Sequence, residues 1–352
     1  MCLAENAEAK KIMNEKVRFA IVGCGRIAPF HADGIAKAPS AELCAVCDVV
    51  EEKARDFALN RGLQKWYTDA DDMFRNEKID VCCVCVPSGL HHEIAIKAAG
   101  YGINVLCEKP LDINSDNMLE MIKACEDNNV KLGAIFQRRT YQAACEVKKA
   151  IDNGSFGKIT IGSAHLYFYR DQDYYDSGEW RGTWALDGGG ALMNQGVHGV
   201  DMITWLMGGV KSVRADCKRL LWNTEVEDTA VITLTYKNGA VGVIECTTSV
   251  YPGLETVFTV GGQNGSVLFG DNMIYSWKFK NDTPSQPEIE DAFAGTNCSY
   301  DDCSPHALQI EDMARAVIEN REPMITGKEA MQSVKVILAI YESARTGREV
   351  FL

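Results

Sequence analysis

The chain has 352 residues, 46% hydrophobic and 24% charged, which is more than one typical globular core accommodates, so two domains are expected. Its 36 Lys and Arg against 49 Asp and Glu leave a net charge of −13, a field that repels nucleic acid and anionic membranes. No apolar run approaches the roughly 18 residues of a spanning helix, and the richest, VCCVCVPSGL, breaks at Pro87, Ser88 and Gly89.

Residues 1–16, MCLAENAEAKKIMNEK, alternate charges with alanines, lack the apolar block of a secretory signal and read as a frayed tail. From residue 17 to 137, short apolar runs alternate with helical stretches: VRFAIVG, a helix near 27–38, ELCAVCD, a helix near 51–61, VCCVCVP, a helix near 91–101, INVLCEKP and finally KLGAIFQ. Parallel strands need crossovers, so this rhythm predicts a doubly wound parallel sheet with helices on both faces, an α/β nucleotide-binding domain. Of the 14 cysteines, Cys82, Cys83 and Cys85 share one strand-like run, and Cys44 and Cys47 lie in another. A C-x-x-C in an extended strand points its thiols to opposite faces, which suits neither zinc nor a redox dithiol; they read as small buried hydrophobes in a reducing cytoplasm.

Beyond about residue 150 the pattern changes to hairpins: KITIGSAHLYFYR, VKSVRADCKRLLW, DTAVITLTYKNGAVGVIECTTS and ETVFTVGGQNGSVLFG, with Asn-Gly turns at Asn238-Gly239 and Asn264-Gly265. The spacing predicts a large, mainly antiparallel sheet and helices at about 141–152, 190–207, 305–319 and 328–345, an α+β domain over 138–352, to which the resemblance drawn below assigns substrate binding and oligomerisation.

Gly23-Cys24-Gly25-Arg26-Ile27-Ala28 follows the first strand and opens the first helix, the context of a dinucleotide fingerprint. Gly23 permits the tight turn, Gly25 lets a pyrophosphate approach the backbone, and Ala28 still allows close helix–strand packing. Asp48, 23 residues after Gly25 at the end of the second strand, is placed to accept the ribose hydroxyls of NAD, with a helix-capping role as the structural alternative. The next residues, Val49, Val50, Glu51 and Glu52, offer no arginine to favour a 2′-phosphate.

With PSGLHHE after one strand, Glu108-Lys109-Pro110 after the next, and DGGGALMNQGVHGVD further on, the chain resembles the glucose–fructose oxidoreductase/inositol dehydrogenase family over nearly its whole length. Within it, YYDSGEWRGTWALDGGGALMNQGVH, VEDT and YPGLE are similar to the branch that oxidises C3 of UDP-N-acetylglucosaminuronate. The resemblance implies NAD as cofactor, oxidation of a sugar hydroxyl, and a homo-oligomer, dimer or tetramer; the sequence shows no H-x-x-x-H or carboxylate cluster of metal-ligand spacing, so hydride chemistry without metal is expected. Lys109 then stands beside the reacting carbon, and His198 is the acid–base histidine. Pro87, Ser88, His91 and Glu108 shape the cofactor side together with Arg26 and Ile27. Arg139, Tyr175, Arg181, Thr183, Asn194 and Gln195 line the sugar and diphosphate side. Trp180, Trp184 and Trp205 read as packing residues.

The residues support His198 independently: a helix from Ala191 to Met207 puts Met193, Val197, Val200 and Met207 on one side and Asn194, His198 and Asp201 on a separate polar stripe. With an ordinary pKa near 6.5 an imidazole there accepts a proton at neutral pH. One departure stands out: many relatives carry aspartate four residues before this histidine, and this chain has Asn194, which is no base. Two other readings stay open: the same fold acting on a polyol, anhydro sugar or glycoside, and an NAD-binding sensor without catalysis.

Overall fold

The computed structural model describes residues 16–271, 273–289 and 304–352, so the expected tail lies outside it apart from Lys16. The first half folds as five parallel strands, β1 (Val17–Val22), β2 (Ala41–Cys47), β3 (Val81–Val84), β4 (Asn104–Cys107) and β5 (Leu132–Ala134), in the order β2-β1-β3-β4-β5. Helices α1 (Ala28–Lys37), α2 (Glu51–Asn60), α4 (His91–Gly100) and α5 (Ser115–Asp127) provide crossovers, with α3 (Ala70–Asn76) ahead of β3. The sequence showed neither α3 nor α5; each opens on a short polar cap, Asp69 accepting from the Asp72 N–H and Asn114 from the Asp116 N–H. β3 is buried along its whole length, as a strand covered on both faces must be.

One sequence expectation is corrected within β2. Phe19 pairs with Leu43 and Ala20 with Ala45, so Cys44 is an extra residue in a bulge. The bulge breaks the two-residue alternation, and Cys44 and Cys47 pack against the same apolar cluster rather than opposite ones. Neither is paired: every described cysteine is a free thiol, and burial pushes the Cys44 thiol up to about 11 and Cys47 to about 12.

The second half builds an eight-stranded sheet in the order β12-β11-β10-β6-β9-β8-β7-β13. Its strands are β6 (Ile159–Tyr167), β7 (Val210–Lys218), β8 (Thr229–Tyr236), β9 (Val241–Thr247), β10 (Val257–Gly262), β11 (Gly265–Gly270), β12 (Ile274–Phe279) and β13 (Val350–Phe351). Only β6 and β9 run parallel; the other neighbours are antiparallel hairpins or returns. One face is covered by α6 (Gln142–Asp152), α8 (Val197–Leu206) and α10 (Gly327–Thr346). The other face carries Ile161, Val231 and Val241, 44 to 55% exposed. The short α7 (Gln172–Asp176), which carries Tyr175, leads into the loop holding Arg181 and Thr183.

Helix α9 (Ser304–Ile318) packs against α1, placing Ile310, Met313 and Ala314 in the core beneath β1. α10 is anchored by a capping box in which the Thr326 hydroxyl accepts from the Glu329 N–H and the Glu329 carboxylate accepts from the Thr326 N–H. Replacing Thr326 by alanine removes one half of this reciprocal cap and should cost about 1 kcal/mol in denaturant unfolding, with an unchanged slope against denaturant.

Candidate active site

The cofactor end follows from steric necessity. Gly23 sits at φ +98°, and a Cβ there would lie 2.6 Å from the Cys85 carbonyl oxygen, so only glycine lets the β1 turn pass over the end of β3. Gly25 is exposed and a Cβ on it would meet nothing within 4 Å, which leaves open the approach a pyrophosphate needs at the start of α1. Arg26 beside it is exposed and Ile27 half-buried. The Asp48 carboxylate accepts from Cys24 N–H at 2.8 Å and Val50 N–H at 2.9 Å, bracing the glycine turn from β2 rather than capping α2 through its side chain. Exposed Val49 and Val50 flank it with no cation. This open turn, carboxylate and helix start fit NAD.

The loops after β3 and β4 form the floor. His91 is buried with its two ring nitrogens against Pro110 O at 2.8 Å and Val86 O at 2.9 Å, so it clamps the two loops together and has no nitrogen left for a cofactor. Pro87 and buried Ser88 lie on this clamped segment, and the Gly89 N–H reaches across to Leu186 O at 2.9 Å. Glu108 also turns inward: His31 Nε2 on α1 lies 2.9 Å and His306 Nε2 on α9 lies 3.5 Å from its Oε1. Burial alone would push Glu108 up; the charge and hydrogen-bonding capacity of these histidines outweigh it and hold the carboxyl well below its usual range. The potential ligand atoms of His31, Glu108 and His306 fall within 4.8 Å of one another, a buried grouping the sequence did not show.

Lys109 is turned the other way, its Nζ donating to the Asn194 carbonyl at 3.0 Å. Burial lowers its pKa, opposed by Glu108 and Asp187. Asn194 lies in a π-helical turn, Leu192–Gly196, that runs directly into α8. The wide turn accommodates about one extra residue, so Asn194 leaves the four-residue spacing read from the sequence, while His198 and Asp201 keep their three-residue spacing within α8. The Asn194 amide turns to Asp187 at 2.8 Å, the His198 ring lies edge-on to Phe136 with centroids 6.0 Å apart, and Asp201 turns to Arg139. His198 and Asp201 thus face the same 136–139 segment, and Asn194 alone is turned elsewhere. Burial, followed by the Lys109 charge, pushes His198 well below its ordinary pKa, so it is a neutral imidazole at pH 7.

The π turn is held from below by Glu227. Its two carboxylate oxygens accept from the Gly190 N–H at 3.0 Å and the Leu192 N–H at 2.9 Å, and Tyr341 donates to it at 3.0 Å. A Cβ on Gly190 would lie 1.7 Å from the Glu227 carbonyl oxygen, so the glycine is needed for this close approach.

Several predicted substrate residues are otherwise engaged. Arg139 pairs in a two-pronged contact with Asp201, at 2.8 and 2.7 Å, and stacks over Trp205; it is a buried structural ion pair rather than a phosphate ligand. Tyr175 is buried with its hydroxyl 2.8 Å from that of Thr248, so its neighbour Tyr174 takes the expected position. Tyr174 Oη accepts from Arg181 at 2.6 Å and Gln195 at 2.9 Å, and Arg181 lies over the Tyr174 and Trp180 rings. Thr183 donates to Trp180 O at 2.7 Å within its own turn. Trp205 packs as expected, whereas Trp184 is 48% exposed. Arg181, half-buried, makes no salt bridge among the described residues, and its guanidinium suits an anionic group.

Asp187, Glu227 and Tyr174 are the residues sequence reasoning missed. For Asp187 a signal existed: a carboxylate directly ahead of three glycines in the segment carrying the histidine motif. Glu227 lay within the quoted VEDT segment, but nothing local ties it to Gly190.

Residues 17–136 match the model of an oxidoreductase family with an NAD-binding Rossmann fold, and residues 145–268 match the GFO/IDH/MocA C-terminal domain. The WlbA dehydrogenase of Bordetella pertussis, crystallised with NADH and UDP-GlcNAcA, is 36% identical with a TM-score of 0.86, over 96% of this chain and 99% of its own. The Chromobacterium violaceum WlbA dehydrogenase, with the same two ligands, is 35% identical at TM-score 0.86, over 96% of each chain. Myo-inositol 2-dehydrogenase of Thermotoga maritima is 30% identical over 267 residues, 73% of this chain and 76% of its own.

Two outcomes check the reading of these buried charges. Asp201→Ala strands Arg139 and should destabilise the fold by about 3–5 kcal/mol without altering NAD affinity, measured by denaturant unfolding and cofactor titration. Burial pushes Glu227 up to about 7 from 4.5, so the folded form holds its proton more tightly. Its contribution is then largest below about pH 4.5 and falls by about 3 kcal/mol as pH rises to 7, becoming flat above. The stability difference between wild type and Glu227→Gln, measured across this range, should shrink accordingly.

Proposed function

The chain belongs to the GFO/IDH/MocA family of NAD-binding oxidoreductases, and we propose that it oxidises the C3 hydroxyl of a UDP-N-acetylglucosaminuronic acid-type sugar to the 3-keto sugar. The observation that carries this reading is the placement of Lys109, Asn194 and His198 at one locus, in a chain 36% identical over 96% of its length to a dehydrogenase bound to NADH and UDP-GlcNAcA.

The turn of Gly23, Gly25, Arg26 and Ile27, with Asp48, would hold the dinucleotide, and the clamped loops of Pro87, Ser88 and Glu108 would border its nicotinamide end. When bound, NAD supplies the acceptor for the hydrogen leaving the sugar carbon. The protein's part is then to manage the hydroxyl proton. Lys109, fixed by the Asn194 carbonyl, places a buried cation where alkoxide character develops, and a charge in a water-poor site acts strongly. His198, kept neutral, offers an imidazole that accepts a hydrogen bond from the hydroxyl. Its low pKa makes it a transient seat for a proton rather than a store. Arg181, with Tyr174 and Gln195 orienting it, meets the negative charge of the uronate or diphosphate.

The exposed apolar face formed by Ile161, Val231 and Val241 supports a homo-oligomer in which a second copy covers that sheet. Among the described residues no helix is long and apolar enough to cross a membrane, and the buried free thiols fit a reducing, cytoplasmic setting.

Titrating the NAD-loaded protein with UDP-N-acetylglucosaminuronic acid should raise the melting temperature and generate the reduced-nicotinamide absorbance; UDP-N-acetylglucosamine should do so far less. No response to either, with NAD still bound, would overturn the nucleotide-sugar reading and favour a carbohydrate without a nucleotide. Lys109→Ala should lower kcat by about 10²–10⁴-fold and leave the Kd for NAD nearly unchanged. In light scattering the native protein should exceed the 38.8 kDa of one chain, and Val231→Lys combined with Val241→Lys should return it to that mass.

A further inference from the structure

Asp187 occupies a position the reaction scheme above leaves unexplained. It is 2% exposed, and its two oxygens are committed: Oδ2 accepts the Gly182 N–H at 2.9 Å and Oδ1 accepts the Asn194 Nδ2–H at 2.8 Å. An amide whose NH2 group is turned into a carboxylate presents its oxygen in the other direction. For Asn194 that oxygen lies on the side of Gln195, 3.4 Å from Nε2. The same residue's main-chain carbonyl holds Lys109 Nζ at 3.0 Å. Asp187 is thus one residue removed from the lysine, joined to it through both ends of Asn194.

The charges around this chain are few. Lys109 is acted on by the carboxylates Glu108 and Asp187 and, in opposition, by Arg138 and Arg170. Glu108 is already faced by His31 and His306. Asp187 itself is faced by Lys109 and by Arg181 from its own loop. His198 on α8 carries no charge to offset any of them. The carboxylate of Asp187 therefore supports the lysine's charge from the Asn194 side.

We propose that Asp187 is the positioning residue of this site: its carboxylate fixes the Asn194 amide with its oxygen as the acceptor offered to the substrate hydroxyl, and it helps keep Lys109 cationic in a buried setting. The proposal rests on the dehydrogenase reading above for the identity of that hydroxyl. It also accounts for an amide at position 194. A carboxylate there would stand against that of Asp187 at the present 2.8 Å contact, and two carboxyl groups so close cannot both ionise. One acid and one amide satisfy the pair, and the site has them as Asp187 and Asn194.

The test is a reciprocal swap read in the full-length protein with NAD and UDP-N-acetylglucosaminuronic acid. D187N keeps the shape and removes the charge; N194D adds a second carboxylate; D187N/N194D restores one acid and one amide in exchanged order. Each single variant should lose about tenfold or more in kcat with KM altered by less than about threefold, because the lost interaction acts on the reacting hydroxyl rather than on overall binding. The alkaline limb of the D187N pH profile should move to lower pH as Lys109 loses its proton more readily. The double variant should recover most of the loss of either single one. A D187N enzyme with wild-type kcat and pH profile, or a double variant no better than the poorer single one, overturns the proposal.

A readout that needs no substrate separates this from failure of the dehydrogenase reading. In protein carrying 13Cε-lysine and loaded with NAD, the Lys109 resonance, identified by its loss in K109R, should titrate about one pH unit lower in D187N. If wild type does not turn over the uronate, the substrate reading falls and this titration still decides the role of Asp187; an unmoved midpoint overturns it. NAD affinity and melting temperature show that each variant is folded. Should D187N not fold, N194A cuts the same link from the other side: a fall in kcat with an unmoved Lys109 midpoint is expected, and wild-type kcat overturns the proposal.

Discussion

The site depends on a carboxylate that never touches it. Glu227 accepts two consecutive-turn amides, of Gly190 and Leu192, from beneath the glycine-rich segment and is itself met by the Tyr341 hydroxyl of α10. Those two bonds satisfy main-chain donors that would otherwise be orphaned in a buried loop, where each unpaired donor costs about 1–3 kcal/mol. They also fix where the π turn begins, and the π turn fixes where the Asn194 carbonyl and amide point. Lys109 is then aimed by a group on the other domain. The desolvation of Glu227, which pushes it up to about 7, is the cost of holding that geometry inside the protein.

The same economy recurs around the site: buried charges are matched across long stretches of sequence. Arg139 meets Asp201, Glu108 meets His31 and His306, and Asp187 meets Asn194 and Lys109. All three groupings connect separate elements of the fold: α1 and α9 converge on the end of β4, the loop before α6 is pinned to α8, and the loop after β4 meets the π turn and the loop ahead of it. The cofactor-side loops are held no less firmly, by His91 between Val86 and Pro110 and by the bond from Gly89 to Leu186. Rigid placement of this kind is what proton transfer over hydrogen-bond distances requires.

The helix-face reading held for His198 and Asp201 within α8 and failed only at Asn194, in the π turn. Period 3.6 assumes one kind of turn, and a segment that inserts a π turn carries its side chains to new azimuths while its composition still looks helical. Of the polar stripe read from the sequence, His198 and Asp201 stay together and Asn194 turns away, and none of the partners Asp187, Phe136 and Arg139 was foreseen. The bulge at Cys44 is the same lesson in a strand, where one extra residue changes which face a thiol meets. In both places the local pattern names the element and a single-residue irregularity decides its outward geometry.

Apart from Lys109, which the family resemblance supplied, the sequence by itself determined the alternation of parallel strands and helices, the later hairpins, the glycine turn with Asp48, and His198 as a polar helix group capable of taking a proton. Those features rest on short-range rules: steric limits on φ, period-two and period-3.6 patterning, and turn residues at fixed offsets. Tertiary structure alone decided that Arg139 is neutralised, that Tyr174 rather than Tyr175 orients Arg181, that His198 stays neutral, and that Asp187 and Glu227 govern Asn194. Charge pairing and desolvation depend on which groups the folded chain brings within a few ångströms, and residues as far apart as Lys109 and Asn194 become neighbours only when both sheets are in place.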